Sequence, residues 1–332
     1  MKKLKIGMVG MGFIAEWHYK GFAPFGNAGI TGMCQDFHGT PEKIAEKKKQ
    51  LEESCRNFNI KPYGSFDEMV DDPGLDALII GSINPYHFDQ ITRGLNAGKH
   101  LLVEKPVVTD ISQIDPLIKL AEEKNLVLFP AHNFVYRGAV RKAKEIMESG
   151  VLGKIIHSSF VITHTISKTH RYGWRANKEL GTGGTLIDSG HHVIYQSLYL
   201  AGMPVKLSGF TSKLVLTNMD CEDTAQASLQ YADGSIGLLM QSWASSHDQG
   251  INGFRILGDK GNLVLTDALY LNGEKIAGEV DYLSSFVNQA GAFIDAVNNG
   301  TPPVSTMEDV RNTLKIVFAT YESAEKGTVI EF

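Results

Sequence analysis

Cysteine is scarce in this chain. Its 332 residues carry three, Cys34, Cys55 and Cys221, widely spaced and with no CxxC. That excludes a disulfide framework and a cysteine-built zinc site, and it fits a reducing compartment. Excess basic charge is missing too: 32 Lys and Arg stand against 37 Asp and Glu, a net charge of -5. No positive field is available to hold nucleic acid or an anionic lipid surface. The run Lys47-Lys48-Lys49 sits among Glu42, Glu46, Glu52 and Glu53 and reads as a solvated helix face. No apolar stretch is long enough to span a bilayer, and the opening MKKLKIGMVGMGF reaches glycines too soon for a signal-peptide core. The expectation is a cytoplasmic protein that binds neither nucleic acid nor membrane and holds no metal.

The composition, 43% hydrophobic and 21% charged, belongs to a soluble globular protein long enough for two domains. Over the first 130 residues, short apolar runs alternate with helix-like stretches. The runs are Leu4 to Val9, Gly29 to Cys34, Leu75 to Ile80, His100 to Val103 and Leu126 to Phe129; Pro41 to Arg56, Tyr86 to Asn96 and Ser112 to Lys124 lie between them. That alternation predicts an α/β domain, a parallel sheet with helices on both faces. After Pro130 the pattern changes. One helix-like stretch, Tyr136 to Glu148, precedes a series of strand-like segments, among them a hairpin signal at Asp233-Gly234. Two helical stretches, near Leu283 to Asn298 and Met307 to Lys326, close the chain. The second part reads as an α+β domain on a largely antiparallel sheet, so the expected division is 1–130 and 131–332.

The first strand runs into Gly10-Met11-Gly12-Phe13-Ile14-Ala15, a GxGxxA. The first glycine permits a tight turn, the second a close backbone approach to a pyrophosphate, and the alanine lets the next helix pack on the strand. Following a strand and opening a βαβ pattern, the motif points to a dinucleotide; the alternative is a glycine-rich turn that binds nothing. After the second strand an acid is expected to bond a ribose diol. Here stand Gln35 and Asp36, either of which could do so, with no Lys or Arg between Met33 and Glu42 for a 2′-phosphate. NAD is the expected cofactor, with NADP left open.

In the segment GTGGTLIDSGHHVIYQSLYL a helical wheel puts Asp188, His192, Tyr195 and Tyr199 on one narrow stripe flanked by apolar residues. A polar stripe on a buried helix faces a cavity. Its i, i+4 spacing lets Asp188 orient His192, or lets both meet one substrate. A satisfied structural pair is the other reading. Earlier, the apolar run Leu101-Leu102-Val103 stops at Glu104-Lys105-Pro106, a charged pair on a rigid bend.

Together these residues resemble the Gfo/Idh/MocA family, the relatives of glucose-fructose oxidoreductase and inositol dehydrogenase. The resemblance is carried by Gly10-x-Gly12-x-x-Ala15, Ser82-Ile83-Asn84-x-x-His87, Gly98-Lys99-His100, Glu104-Lys105-Pro106, Trp174-Arg175, Gly183-Gly184 and Asp188-x-Gly190-x-His192. It runs along nearly the whole chain. It implies a Rossmann doubly wound sheet, a second domain with a large open sheet, and an active site in the cleft between them. It implies cofactor contacts from Gly10, Gly12, Phe13, Ile14, Ala15, Gln35, Asp36, Ser82, Asn84, His87, Glu104 and Lys105. Lys105, Asp188 and His192 become the catalytic residues. His192 is the expected base, Lys105 steadies the alkoxide, and Asp188 orients the imidazole. His164, His170, Trp174, Arg175 and Tyr195 are candidate substrate contacts. The chain departs from the family in having Ser82-Ile83-Asn84 for Thr-Pro-Asn and Gln35 where the acid after the second strand is usual. The implied reaction is hydride transfer between a nicotinamide and a secondary hydroxyl or ketone of an uncharged sugar, cyclitol or polyol, by a homodimer or homotetramer. Its rivals are a hydrolase or lyase that regenerates bound NAD each turnover, and a non-enzymatic NAD-binding sensor.

Overall fold

The structure, a computed structural model, describes residues 3–35, 37, 40–167, 171–245, 251–279 and 281–332. The expectations placed on Asp36 and His170 lie outside these residues. The chain forms two compact units, Met1–Asn133 with Tyr282–Met307, and Phe134–Asp281 with Glu308–Phe332.

In the first unit, β1 (Leu4–Val9), β2 (Ala28–Cys34), β3 (Lys61–Pro62), β4 (Ala77–Ile80), β5 (His100–Val103) and β6 (Leu128–Pro130) form a six-stranded sheet in the order β3-β2-β1-β4-β5-β6. Every neighbouring pair in it is parallel. The central strands are apolar throughout because helices cover both faces: Ala77, Leu78, Ile79 and Ile80 are all fully buried, as are Leu101, Leu102 and Val103. This is the Rossmann order, with its switch point between β1 and β4. The β3 pairing, two residues long, had no sequence signal.

The helix Tyr282–Asn299 also belongs to this unit, which departs from a single division near residue 130. Its apolar face meets the helix Phe13–Phe22: Trp17 lies edge-on to Tyr282 and stacks with Phe286, while Phe22 lies edge-on to Phe293. The fit is backbone-close, since a Cβ on Gly21 would stand 2.9 Å from the Phe286 carbonyl oxygen. The periodicity shows that this helix buries one face. It does not show against which unit.

In the second unit, β7 (Ile155–Thr163), β8 (Lys206–Ser212), β9 (Thr224–Gln230), β10 (Ile236–Ser242), β11 (Gly253–Gly258), β12 (Asn262–Leu265), β13 (Ala268–Leu271), β14 (Glu274–Glu279) and β15 (Ile330–Glu331) make a nine-stranded sheet in the order β14-β13-β12-β11-β7-β10-β9-β8-β15. Only the β7–β10 pair is parallel. The expected hairpin is present: Gly234 takes φ +87°, and Tyr231 N–H donates to the Ser235 carbonyl at 2.9 Å. β12 and β13 are joined by the short turn at 266–267. The helix Gly190–Ala201 packs on β7 and β10, and Met307–Lys326 presses on β8, where a Cβ on Gly209 would stand 2.6 Å from the Thr320 oxygen. Among the described residues no helix is long and apolar enough to cross a membrane.

Candidate active site

The GxGxxA turn sits at the switch point. Gly10 has φ +98°, a conformation L side chains rarely take, and a Cβ there would come within 2.4 Å of the Gly81 carbonyl oxygen. The turn therefore lies directly on the loop after β4. At Gly12 the opposite holds: among the described residues nothing stands within 4 Å of a Cβ, so the space above the turn is open. Gly12 is also the N-cap of the helix Phe13–Phe22, with no side chain capping the first amides. Ala15 is buried on this helix and Phe13 is exposed at its start. Met11 N–H donates to Gln35 Oε1 at 3.0 Å, which pins the turn to the end of β2. An open cradle floored by backbone, at the positive end of a helix, fits a pyrophosphate. The residues present fit a dinucleotide.

The loops after β4 and β5 leave the same edge of the sheet. Ser82 Oγ donates to Gln90 Oε1 at 2.6 Å, and Asn84 is buried. His87 is buried with Nδ1 2.9 Å from the Pro106 carbonyl and Nε2 3.1 Å from the Ser82 carbonyl, so its ring faces backbone. Burial pulls its pKa below the ordinary value. Glu104 meets His18 Nε2 at 2.7 Å, and Lys105, half-buried, precedes a cis peptide bond to Pro106. Past β6, His132 is fully buried with Nδ1 2.7 Å from Ser305 Oγ. Burial and then the Lys105 charge hold the His132 pKa down to about 3.

In the second unit Asp188 is not part of the helix that carries His192, which starts at Gly190. The continuous wheel from Asp188 is thereby corrected. The glycine-rich stretch before it forms a tight turn instead, in which Gly190 N–H reaches back to the Thr185 carbonyl at 2.7 Å. Glu222 organises that turn. Its carboxylate accepts Gly184 N–H at 3.0 Å, Leu186 N–H at 2.9 Å and the Tyr321 hydroxyl at 2.8 Å, while burial raises its pKa. A side chain at Gly184 would collide with the Glu222 backbone oxygen, 2.1 Å from its Cβ.

Two pairs then emerge. Asp188 receives the Arg175 guanidinium, which also lies 4.2 Å over the Trp174 ring. His192 Nδ1 stands 2.7 Å from Tyr195 Oη, which accepts Phe134 N–H at 3.1 Å. Phe134 stacks on the His192 imidazole at 4.2 Å and 14°, with the Arg137 guanidinium 3.3 Å from the Phe134 ring centre. Arg175 lies beside Asp188, and Tyr195 lies beside His192. Tyr195 is buried and lies beside His192. His164, just past β7, donates its N–H to the Ser242 carbonyl at 3.0 Å. Phe134, Arg137 and Glu222 were missed, and no local pattern marks them. The His192–Tyr195 pair was legible as an i, i+3 spacing.

A phosphate cradle at the switch point of a parallel sheet, with a lysine at the end of β5, defines a dinucleotide-binding protein of the Rossmann class. Residues 4–132 match the oxidoreductase family with an NAD-binding Rossmann fold, and residues 140–264 match the GFO/IDH/MocA C-terminal domain. The chain belongs to the GFO/IDH/MocA oxidoreductase family. It is 26% identical to the myo-inositol 2-dehydrogenase of Thermotoga maritima over 97% of both chains. It is also 26% identical to the D-glucoside 3-dehydrogenase of Escherichia coli, over 99% of this chain and 97% of that one. Among solved structures, levoglucosan dehydrogenase in complex with NADH and levoglucosan has the same fold, with a TM-score of 0.86 at 21% identity and 99% coverage of both chains.

Proposed function

We propose that this chain is an NAD-dependent dehydrogenase that interconverts a secondary hydroxyl and a ketone on an uncharged sugar, cyclitol or related polyol. The observation that carries it is the placement, on one edge of one sheet, of an open backbone cradle at Gly10–Gly12 and of Lys105 at the end of β5. The named relatives, which act on an inositol and a glucoside, support the substrate class. The nicotinamide, when bound, accepts or donates the hydride.

The chain's own residues supply the rest. The turn and the helix amides take the pyrophosphate, and Gln35, with Asp36 beside it in sequence, serves the ribose. On the oxidation direction the substrate C–H bond breaks with the hydride leaving carbon, and the O–H proton passes to His192 Nε2. Tyr195 Oη holds Nδ1 and Phe134 holds the ring plane, so the imidazole is aimed before substrate arrives. Lys105 lays positive charge beside the oxygen as it gains alkoxide character. Asp188 holds Arg175, and in this reading the guanidinium and Trp174 take substrate hydroxyls. His164 and His170 remain candidate substrate contacts.

The test is nicotinamide reduction followed at 340 nm across inositols, aldoses, amino sugars and sugar acids, with NAD and with NADP. Lys105→Ala and His192→Ala are each expected to lower kcat about 10²–10⁴-fold while NADH titrates normally by fluorescence. Unchanged turnover in either variant would refute its catalytic role. Silence across the panel with NADH binding intact would transfer the reading to a closed redox cycle or a sensor.

We also assign the chain to a homodimer or homotetramer in the cytoplasm. The open sheet face of the second unit supports the first, and three buried free cysteines support the second.

A further inference from the structure

Two buried histidines join the segments at the carboxyl edge of the first unit's sheet. His18, 1% exposed, stands on the helix that follows the glycine turn and brings Nε2 to 2.7 Å from Glu104 Oε1. Its ring is edge-on to Phe286 at 5.2 Å. The other carboxylate oxygen, Oε2, accepts Lys105 N–H at 3.2 Å, and Glu104 N–H donates to the Ile80 carbonyl at 2.9 Å. His87, also 1% exposed, opens the helix His87–Asn96 and sets its two ring nitrogens on the Pro106 and Ser82 carbonyls. One imidazole grips the residue before Lys105 and the other the residue after it, each from a different helix.

We propose that His18 and His87 are positioning residues that fix the Lys105 ammonium through the backbone of residues 104–106, His18 through Nε2–H and His87 through Nδ1–H. The proposal rests on the reading of Lys105 given above. A lysine side chain is long and flexible, so what a fold can set in advance is its Cα and the direction of its Cα–Cβ bond. An ionised carboxylate only accepts, so His18 Nε2 carries the proton. Both ring nitrogens of His87 face carbonyls, and the proposal assigns the proton to Nδ1, whose contact, to Pro106, is the shorter.

The proton assignments make the proposal testable by amide replacement. The side-chain nitrogen of Asn can stand where Nδ1 stands, and that of Gln where Nε2 stands. His87→Asn keeps the donor to Pro106 and His87→Gln loses it; His18→Gln keeps the donor to Glu104 and His18→Asn loses it. We expect the matched variants to keep more of the parent kcat than the mismatched ones. The mismatched ones should fall roughly 10–100-fold, as a misplacement of about 1 Å costs, with the NADH Kd unchanged. A role in packing alone follows side-chain volume and gives the same order at both positions.

A second readout needs neither substrate nor cofactor: the rate at which trinitrobenzenesulfonate modifies Lys105, read by peptide mass spectrometry. It should move in the mismatched variants alone. All variants are compared below the lowest melting temperature, so that unfolding is scored by circular dichroism. If both positions show one order, or all four variants match the parent in both readouts, the proposal is overturned. If Lys105→Ala leaves turnover intact, the catalytic reading falls, and the modification rates still decide the positioning.

Discussion

His132 shows how one side chain carries information about another. It is held neutral, with a pKa of about 3, first by burial and then by the Lys105 charge. The unfolded chain binds a proton at this imidazole below about pH 6.5, whereas the folded chain does not until about pH 3. More protons are bound in the unfolded state across that window, so His132's contribution to stability is present above about pH 6.5 and is lost as the pH falls towards 3. The loss approaches about 1.4 kcal/mol per pH unit where only the unfolded state is protonated. Lys105→Gln removes the second cause and leaves the first. Its His132 should titrate at a higher pH than in the parent, and its stability should decline less steeply in acid. Imidazole titration by NMR alongside urea unfolding between pH 7 and 4 checks both. Identical His132 titration in the two proteins would mean that the lysine charge does not reach this ring.

The glycine turn separates fold from function within three residues. Gly10 is required by the backbone, through its φ of +98° and the 2.4 Å approach to Gly81. Gly12 is required by no neighbour among the described residues. Gly10→Ala should therefore lower the melting temperature, since strain of this kind costs about 1–3 kcal/mol of stability. Gly12→Val should melt with the parent yet lose at least tenfold in NADH affinity, because its side chain fills the cradle. Calorimetry and fluorescence titration together decide, and normal NADH binding by Gly12→Val would refute the pyrophosphate site. The turn was legible from sequence because its demands are local: a strand end, two glycines and a helix start. The parallel strands were legible as apolar runs with helices between them. The elements that failed to show were those fixed by distant partners. Helix periodicity at Gly181 to Leu200 ignored the Glu222 carboxylate that ties the Gly184 and Leu186 amides into a turn, so Asp188 was placed on the wrong element. The stack of Phe134 on His192 joins residues far apart in sequence, which no wheel or spacing can reach.

The second unit's sheet presents one face to its own helices and carries exposed apolar side chains on the other. Register places Phe210, Gln226 and Met240 in one row across β8, β9 and β10, and His157, Ile236 and Leu257 in another across β7, β10 and β11. Both rows lie on the face opposite Gly209 and the helix Met307–Lys326, with Phe210 65%, Ile236 53% and Leu257 47% exposed. Large apolar side chains alternating with Gln and Ser across the centre of a nine-stranded sheet differ from the charged, twisted edges by which solvent-facing sheets stay apart. A second copy of the same face is the partner that symmetry supplies most simply, since an isologous contact buries each exposed row twice. The protein should therefore elute at two or four times the chain mass in light scattering coupled to size exclusion. Phe210→Glu with Ile236→Lys should reduce it to a monomer with an unchanged far-ultraviolet spectrum, because neither side chain packs within its own unit's core. A parent that is already monomeric at micromolar concentration, or a double variant that stays assembled, would place the interface elsewhere. If the monomer retains NADH affinity, the cradle in the first unit is complete within one chain, as its construction from β1, β2 and β4 alone requires.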